Sequence, residues 1–394
     1  MTDTMPSVAP WPKFSKEEAD IVSAVLLSNK VNYWTGNIGK EFEQQFAAKM
    51  QCKYSIALSN GTLALDLALY ALNIGVGDEV VVTPRSFVAS ASAIHNAGAT
   101  PVFADVDLTS QNITAKSIEQ VLSPNTKAIV CVHLAGWPCE MDAIKSLAEK
   151  KGLSIVEDCA QAHGATYKGK SVGSWGDVAT WSFCQDKIIT TGGEGGMVTT
   201  NNDVLFEKIW SYKDHGKNRQ KMLNPEKSKR FKWVHDSFGT NFRMTEIQAA
   251  LGDYQIRQLN EWTRTRGEIA SIYNAGFEKL PSLRTTPPPS NVQHAYYKYY
   301  CFLEVANLRS DWSRDRIVEE VWKRGGQCFS GCCPEIYREG AFVSAYGEHP
   351  RLPVAKQLGI ESLMFNVHPG ISKSFLEKNI AVVKTVLDLA TRVN

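Results

Sequence analysis

Leu153-Ser154-Ile155-Val156-Glu157-Asp158-Cys159-Ala160-Gln161-Ala162-His163-Gly164 is a β-type apolar run that ends in a carboxylate. In a parallel α/β sheet, ligands gather outside the carboxyl ends of the strands, so Asp158 is expected to project into a site. Working outward, further apolar runs stand at Val80-Val81-Val82, Pro101-Val102-Phe103, Ala128-Ile129-Val130-Cys131-Val132, Val178 to Phe183 and Met197-Val198-Thr199. Helical patterns near residues 62–73, 87–97, 116–122 and 140–150 fall between them. Strands alternating with helices predict an α/β fold with a mostly parallel central sheet covered on both faces.

Two features near this run bear on chemistry. Lys187 ends Trp181-Ser182-Phe183-Cys184-Gln185-Asp186-Lys187, and Gly192-Gly193-Glu194-Gly195-Gly196 follows within one short loop. An amine between an apolar strand and a glycine segment is partly desolvated and suits Schiff-base formation. Upstream, Ser59-Asn60-Gly61-Thr62 opens the apolar segment Leu63 to Tyr70, read as a buried helix. Its N-terminus offers free N–H groups, the positive dipole end and a glycine for close approach, a seat for phosphate. One amine, one carboxylate and one phosphate seat are what pyridoxal 5′-phosphate (PLP) requires.

The remaining sequence bounds the answer. At 394 residues there is room for two domains, and a net charge of +2 gives no field that argues for nucleic-acid or membrane binding. The polar, Pro-containing Met1 to Pro12 carries no signal-peptide pattern, and no apolar run reaches transmembrane length, so a cytoplasmic location is expected. Nine scattered cysteines without a CxxC pair read as reduced thiols. His133 near Cys131 lacks further ligands at metal-binding spacing, so no metal is expected. Gly164 to Ser171 matches the P-loop pattern, but the Gly-containing stretch after it has no helical period, so a hairpin is expected there instead.

Ser15-Lys16-Glu17-Glu18 is a capping box before an N-terminal helix. A long helical pattern covers residues 245–277, and Pro281 with Pro287-Pro288-Pro289-Ser290 marks a boundary or exposed loop. Tyr299 to Leu303 and helices near 312–324 and 373–391 suggest a small α+β domain. The expected division is an N-terminal helix in 1–30, a large domain in 31–260 and a small C-terminal domain in 261–394.

Several motifs in order carry a resemblance: Gly36 to Glu43, Ser59 to Leu65, Gly77-Asp78-Glu79-Val80, Val132 to Gly136, Glu157 to Gln161, Ser182-Phe183 with Lys187, Gly193 to Gly196, and Gly239 to Met244. The chain resembles the DegT/DnrJ/EryC1/StrS family of PLP-dependent sugar aminotransferases, which have fold type I. The resemblance implies that Lys187 holds the coenzyme as a Schiff base and later moves the proton. Asp158 pairs with the pyridinium nitrogen, and Gln161 bonds the ring's phenolic oxygen. Gly61, Thr62 and Ser182 hold the phosphate, and the Phe87 ring stacks on the pyridine. It also implies a homodimer with shared active sites, since Asn241 corresponds to the asparagine that reaches the phosphate of the neighbouring subunit. From local sequence alone, Phe87 reads rather as a core aromatic at a helix start and Asn241 rather as a loop or helix-cap residue. His163 reads equally as a group over or beside the coenzyme and as a hydrogen-bonded histidine on the site's rim, and Glu194 as a residue that orients substrate or one that caps backbone N–H groups, so neither is given a role.

The implied reaction moves the amino group of L-glutamate to a keto sugar. Relatives that remove a hydroxyl carry histidine at the lysine position, so Lys187 favours transfer over a dehydratase. A non-catalytic regulator on the same fold is the further alternative. Arg85 departs from the family pattern, and an arginine near the site suits a substrate carboxylate. That and a general likeness point to the subset that aminates an 8-oxo-3,8-dideoxy-manno-octulosonate for lipopolysaccharide, beside nucleotide-linked keto sugars. The plain alternative for Arg85 is a loop cation or an ion pair.

Overall fold

The computed structural model describes residues 8–223 and 231–392, so the first seven residues of the Met1 to Pro12 stretch lie outside the described residues. Strands are β1 (Tyr54–Leu58), β2 (Glu79–Val82), β3 (Thr100–Phe103), β4 (Thr126–Val132), β5 (Ser154–Asp158), β6 (Thr166–Tyr167), β7 (Lys170–Ser171), β8 (Val178–Ser182), β9 (Gly196–Thr200), β10 (Leu283–Thr285), β11 (Val292–Gln293), β12 (Lys298–Leu303) and β13 (Ser362–Asn366). Helices are α1 (Lys16–Leu27), α2 (Ile38–Lys49), α3 (Gly61–Ala71), α4 (Ala89–Asn96), α5 (Ala115–Glu119), α6 (Met141–Lys151), α7 (Asp203–Tyr212), α8 (Arg219–Leu223), α9 (Glu246–Phe277), α10 (Arg314–Lys323), α11 (Gly340–Tyr346), α12 (Pro353–Glu361) and α13 (Lys373–Ala390).

Seven strands form the central sheet in the order β1-β9-β8-β5-β4-β2-β3. All neighbours are parallel except at β9, which runs against both β1 and β8. The Val80-Val81-Val82 and Ile129-Val130-Cys131 runs are buried, as befits strands covered on both faces. Apolar cores lie on either side: one gathers α3 and α4, the other α6 with Ile129 and Ile155. The sequence pattern did not mark β1, α2 or α7, nor the α12–β13 region.

Residues 166–171 form the expected hairpin, turning at Lys168 and Gly169 with φ of 50° and 76°. The second layer is the three-stranded sheet β10-β12-β13, packed with α10 and α13. The 32-residue α9 belongs to both bodies: Ala249, Ile256 and Leu259 enter the core around Trp181, while Ile269, Ala270, Tyr273 and Phe277 enter the core of the small sheet. The expected boundary at residues 260 and 261 therefore falls inside a continuous helix. No helix among the described residues is long and apolar enough to cross a membrane.

Candidate active site

Asp158 is the last residue of β5 and Ser182 the last of β8, so both lie at the carboxyl edge of the sheet. Asp158 is buried, with Oδ2 accepting from Ser90 Oγ at 2.7 Å and Oδ1 from Ala160 N–H at 3.2 Å. Ser90 in turn contacts Ser86 Oγ at 3.1 Å. Burial pushes the Asp158 carboxyl up, and the Ser90 hydroxyl and Ala160 N–H oppose that shift. Asp158 has no cation in ion-pair contact among the described residues, so a buried acid waits for a positive partner.

The start of α3 supplies the second part. Asn60 caps it, its Oδ1 accepting from Leu63 N–H at 2.9 Å, which leaves the N–H groups of Gly61 and Thr62 without partners inside the helix. A Cβ at Gly61 would stand 2.6 Å from Ser182 Cβ, and one at Gly196 would stand 2.2 Å from Asn60 O. Only hydrogen at these two positions lets β8, β9 and the helix start meet, which brings the Ser182 hydroxyl against the free N–H groups. This is a phosphate cradle.

Gln161 has its Oε1 held by Ala135 N–H at 2.8 Å, which leaves the amide NH2 free to donate. The Phe87 ring, just before α4, is 67 % exposed, an aromatic face with nothing laid on it. Lys187 Nζ sits 3.1 Å from Asp186 Oδ1 and 3.4 Å from Tyr297 Oη, with the side chain only 16 % exposed. Its carbonyl accepts from Trp11 Nε1 at 2.9 Å, which ties the N-terminal segment to the lysine loop. Lys187 lies close enough to Asp158 to pull that carboxyl down. An unmatched buried acid, a cradle that a methyl would fill, an exposed ring and a lysine whose charge reaches that acid fit PLP.

Two expectations are corrected. Arg85 is not at the site surface: its side chain is 1 % exposed, with Nε donating to Gln111 Oε1 at 2.9 Å and Nη2 to Ser362 Oγ at 2.5 Å. The guanidinium lies 5.8 Å from the Tyr300 ring and locks β2's end to β13, so it reaches no substrate in this structure. His163 is no rim residue either; it is fully buried between Trp181 and Phe183, both ring nitrogens without partners, and burial holds it down at about 3. Glu194 is exposed, and it is its carbonyl that bonds Thr191 and Gln248. Asn241 is exposed and immediately precedes Phe242, whose carbonyl accepts from Ser59 N–H at 3.0 Å, so its segment runs beside the chain leading into α3; Phe231, Trp233 and Phe238 are exposed upstream of it.

His133 bonds Glu157 Oε2 at 3.0 Å and accepts from Cys139 N–H at 3.0 Å, so both ring nitrogens are spent. Glu157 further accepts from Gly173, Trp175 and Gly176 N–H. With Cys159 beside them these groups could surround an ion, but their lone pairs already tie β5 to the following turn. Sequence reasoning missed Ser90, Tyr297 and Trp11. Nothing local marks them, since their partners lie 68, 110 and 176 positions away.

Fold and site together define a PLP-dependent transferase of fold type I. The chain belongs to the DegT/DnrJ/EryC1/StrS aminotransferase family, whose profile matches residues 12–386. It is similar to the GDP-perosamine synthase of Escherichia coli O157:H7, 35 % identical over 361 residues, 92 % of this chain and 93 % of that one. The dTDP-3-amino-3,4,6-trideoxy-alpha-D-glucose transaminase of Streptomyces venezuelae is 30 % identical over 98 % of this chain and 95 % of its own. Among solved structures, the aminotransferase from Psychrobacter cryohalolentis is 52 % identical with a TM-score of 0.94, covering 98 % of this chain and all of the other (100 %). The protein is a sugar aminotransferase that uses PLP.

Proposed function

We propose that the protein transfers the amino group of L-glutamate to a keto-deoxy sugar for a surface glycan such as lipopolysaccharide, in a homodimer whose sites share residues. The observation that carries this is the buried Asp158 carboxyl, with no cation in ion-pair contact among the described residues, at the sheet edge where the Gly61–Ser182 cradle stands, with Lys187 near enough to draw it down. PLP, when bound, supplies an aldehyde and a ring that takes up the electrons of the broken C–H bond. Lys187 Nζ would hold the coenzyme and then carry the proton between the substrate carbon that bears nitrogen and the coenzyme's aldehyde carbon. Asp158 keeps the ring nitrogen protonated, and the Ser86–Ser90 pair fixes the Asp158 carboxylate's direction. Gly61, Thr62 and Ser182 anchor the phosphate, Gln161 donates to the ring oxygen, and Phe87 fixes the ring plane at about 1 kcal/mol by stacking. Asn241 serves the partner's phosphate, and the bare Phe231, Trp233 and Phe238 are the surface a second copy would cover.

The acceptor is a nucleotide-linked keto hexose, as the names of the relatives suggest, or the 8-oxo octulosonate; Arg85 no longer favours the latter. Purified protein given glutamate should lose the coenzyme's aldehyde absorbance, and a panel of these keto sugars should restore it. Bound coenzyme that glutamate leaves unchanged would overturn the transfer reading. Replacement of Lys187 by alanine should abolish the change while the coenzyme still binds through its phosphate.

A further inference from the structure

A cavity of about 360 Å³ opens beside the lysine loop, between the N-terminal segment, α9 and the ends of β12 and β13. Trp11, Asp186, Arg266, Lys298, Asn366 and His368 line it. Its charges do not balance. Asp186, the acid in this set, is engaged by Lys187 Nζ and by Tyr297 Oη. Arg266, 1 % exposed, donates from Nη1 to the carbonyls of Val367, Tyr296 and Tyr297, while Nε and Nη2 have no hydrogen-bond partner among the described residues. Lys298 reaches Asn366 Oδ1 at 2.9 Å, a neutral acceptor. His368 Nδ1 is buried without a partner, and the ring stacks on Trp11 at 5.7 Å.

Two cations with no carboxylate in ion-pair contact among the described residues are costly to keep beside a cavity. Burial holds Arg266 down at about 9 and Lys298 down at about 8; for Lys298 the Asp186 charge opposes the shift, and Arg266 and Lys187 add to it. Trp11 lies with the Arg266 guanidinium 5.1 Å from its ring, so Arg266 acts from the wall and Lys298 and Asn366 present donors to the space. Asp186 and Tyr297 line the same space and touch Lys187 Nζ, so whatever the cavity holds has its far end near the reacting amine.

We infer that this cavity is an anion seat, in which Lys298 and Asn366, backed by Arg266, hold a carboxylate of the substrate whose nitrogen-bearing carbon faces Lys187. The inference rests on the transfer reading. In a ping-pong exchange donor and acceptor use one site in turn, so the carboxylate comes from glutamate alone or from glutamate and an acidic acceptor.

Lys298→Met removes the charge and keeps the length, and Lys298→Arg restores it. With the holoenzyme, calorimetric titration with glutarate, a dicarboxylate without an amine, should show binding that weakens about tenfold or more in Lys298→Met and returns in Lys298→Arg. Single-turnover spectra should show the same rise in the glutamate concentration needed, with the limiting rate within about twofold. A loss confined to the glutamate half-reaction assigns the carboxylate to the donor. A parallel loss with an acidic keto sugar, but not with a neutral one, assigns it to the acceptor as well. Unchanged glutarate binding and unchanged half-reactions would overturn the seat. If glutamate fails to react at all while glutarate still binds through Lys298, the transfer reading fails and the seat stands.

Discussion

At the scale of single residues, Asp158 is an acid kept in a low-dielectric place without a cation of its own. Asp158→Asn should therefore leave the melting temperature of the coenzyme-free protein unchanged or raised, because an unmatched buried charge is gone and Ser90 and Ala160 still have a partner. The same change should lower turnover by about two orders of magnitude or more, read in the steady state with glutamate. Histidines set a pH window. Burial holds His163 at about 3 and His368 at about 4, below their unfolded value of 6.5, so unfolding takes up protons and stability falls as pH drops from 6.5 toward 4. Denaturant midpoints should fall as pH drops from 6.5 toward 4, and a midpoint that stays level over that range would contradict this assignment. Asp158 and Lys187 were legible because each ends an apolar run. Arg85 was not, because its partners Gln111 and Ser362 are 26 and 277 positions away.

At the scale of elements, α9 does more than its amphipathic pattern announces. Its first residue, Glu246, is fully buried and accepts from Ile38 N–H at 2.7 Å and Gly39 N–H at 3.0 Å, placing a carboxylate on the start of α2. Glu246→Gln keeps the shape but removes the charge, and should cost about 1–2 kcal/mol in urea denaturation. Helices with strong periods, such as α6 and α13, were legible from spacing. β1 was not marked because Tyr54-Ser55-Ile56-Ala57-Leu58 is short and mixed, and its place at the sheet edge comes from pairing with β9, far along the chain. Arg266 left a faint trace: it falls on the face of α9 that also carries Leu259, Thr263, Ile269, Ala270 and Tyr273, all buried. A cation in such a row signals either a partner or a pocket.

At the scale of the whole molecule, the proposed homodimer would use Asn241 in the partner's site, and Phe231, Trp233 and Phe238 stand exposed in the segment that leads to it. Mixing Lys187→Ala subunits with Asn241→Ala subunits should therefore regain activity, since hybrid dimers hold one intact site. Random pairing sets the recovery at about a quarter of wild type, measured after refolding the mixture together. Recovery indistinguishable from zero would mean that each subunit works alone. The α/β layering was legible from alternating strands and helices, whereas the assembly left no pattern in the order of residues beyond its likeness to relatives.

The unbroken passage of α9 through both cores has a mechanical result. A rod shared by two bodies resists bending at its middle, so the halves are poor candidates for the jaw-like swing by which many transferases wrap their ligands. Selectivity must then come from a contour cast in advance, and stiff mimics of the acceptor should seat as well as supple ones.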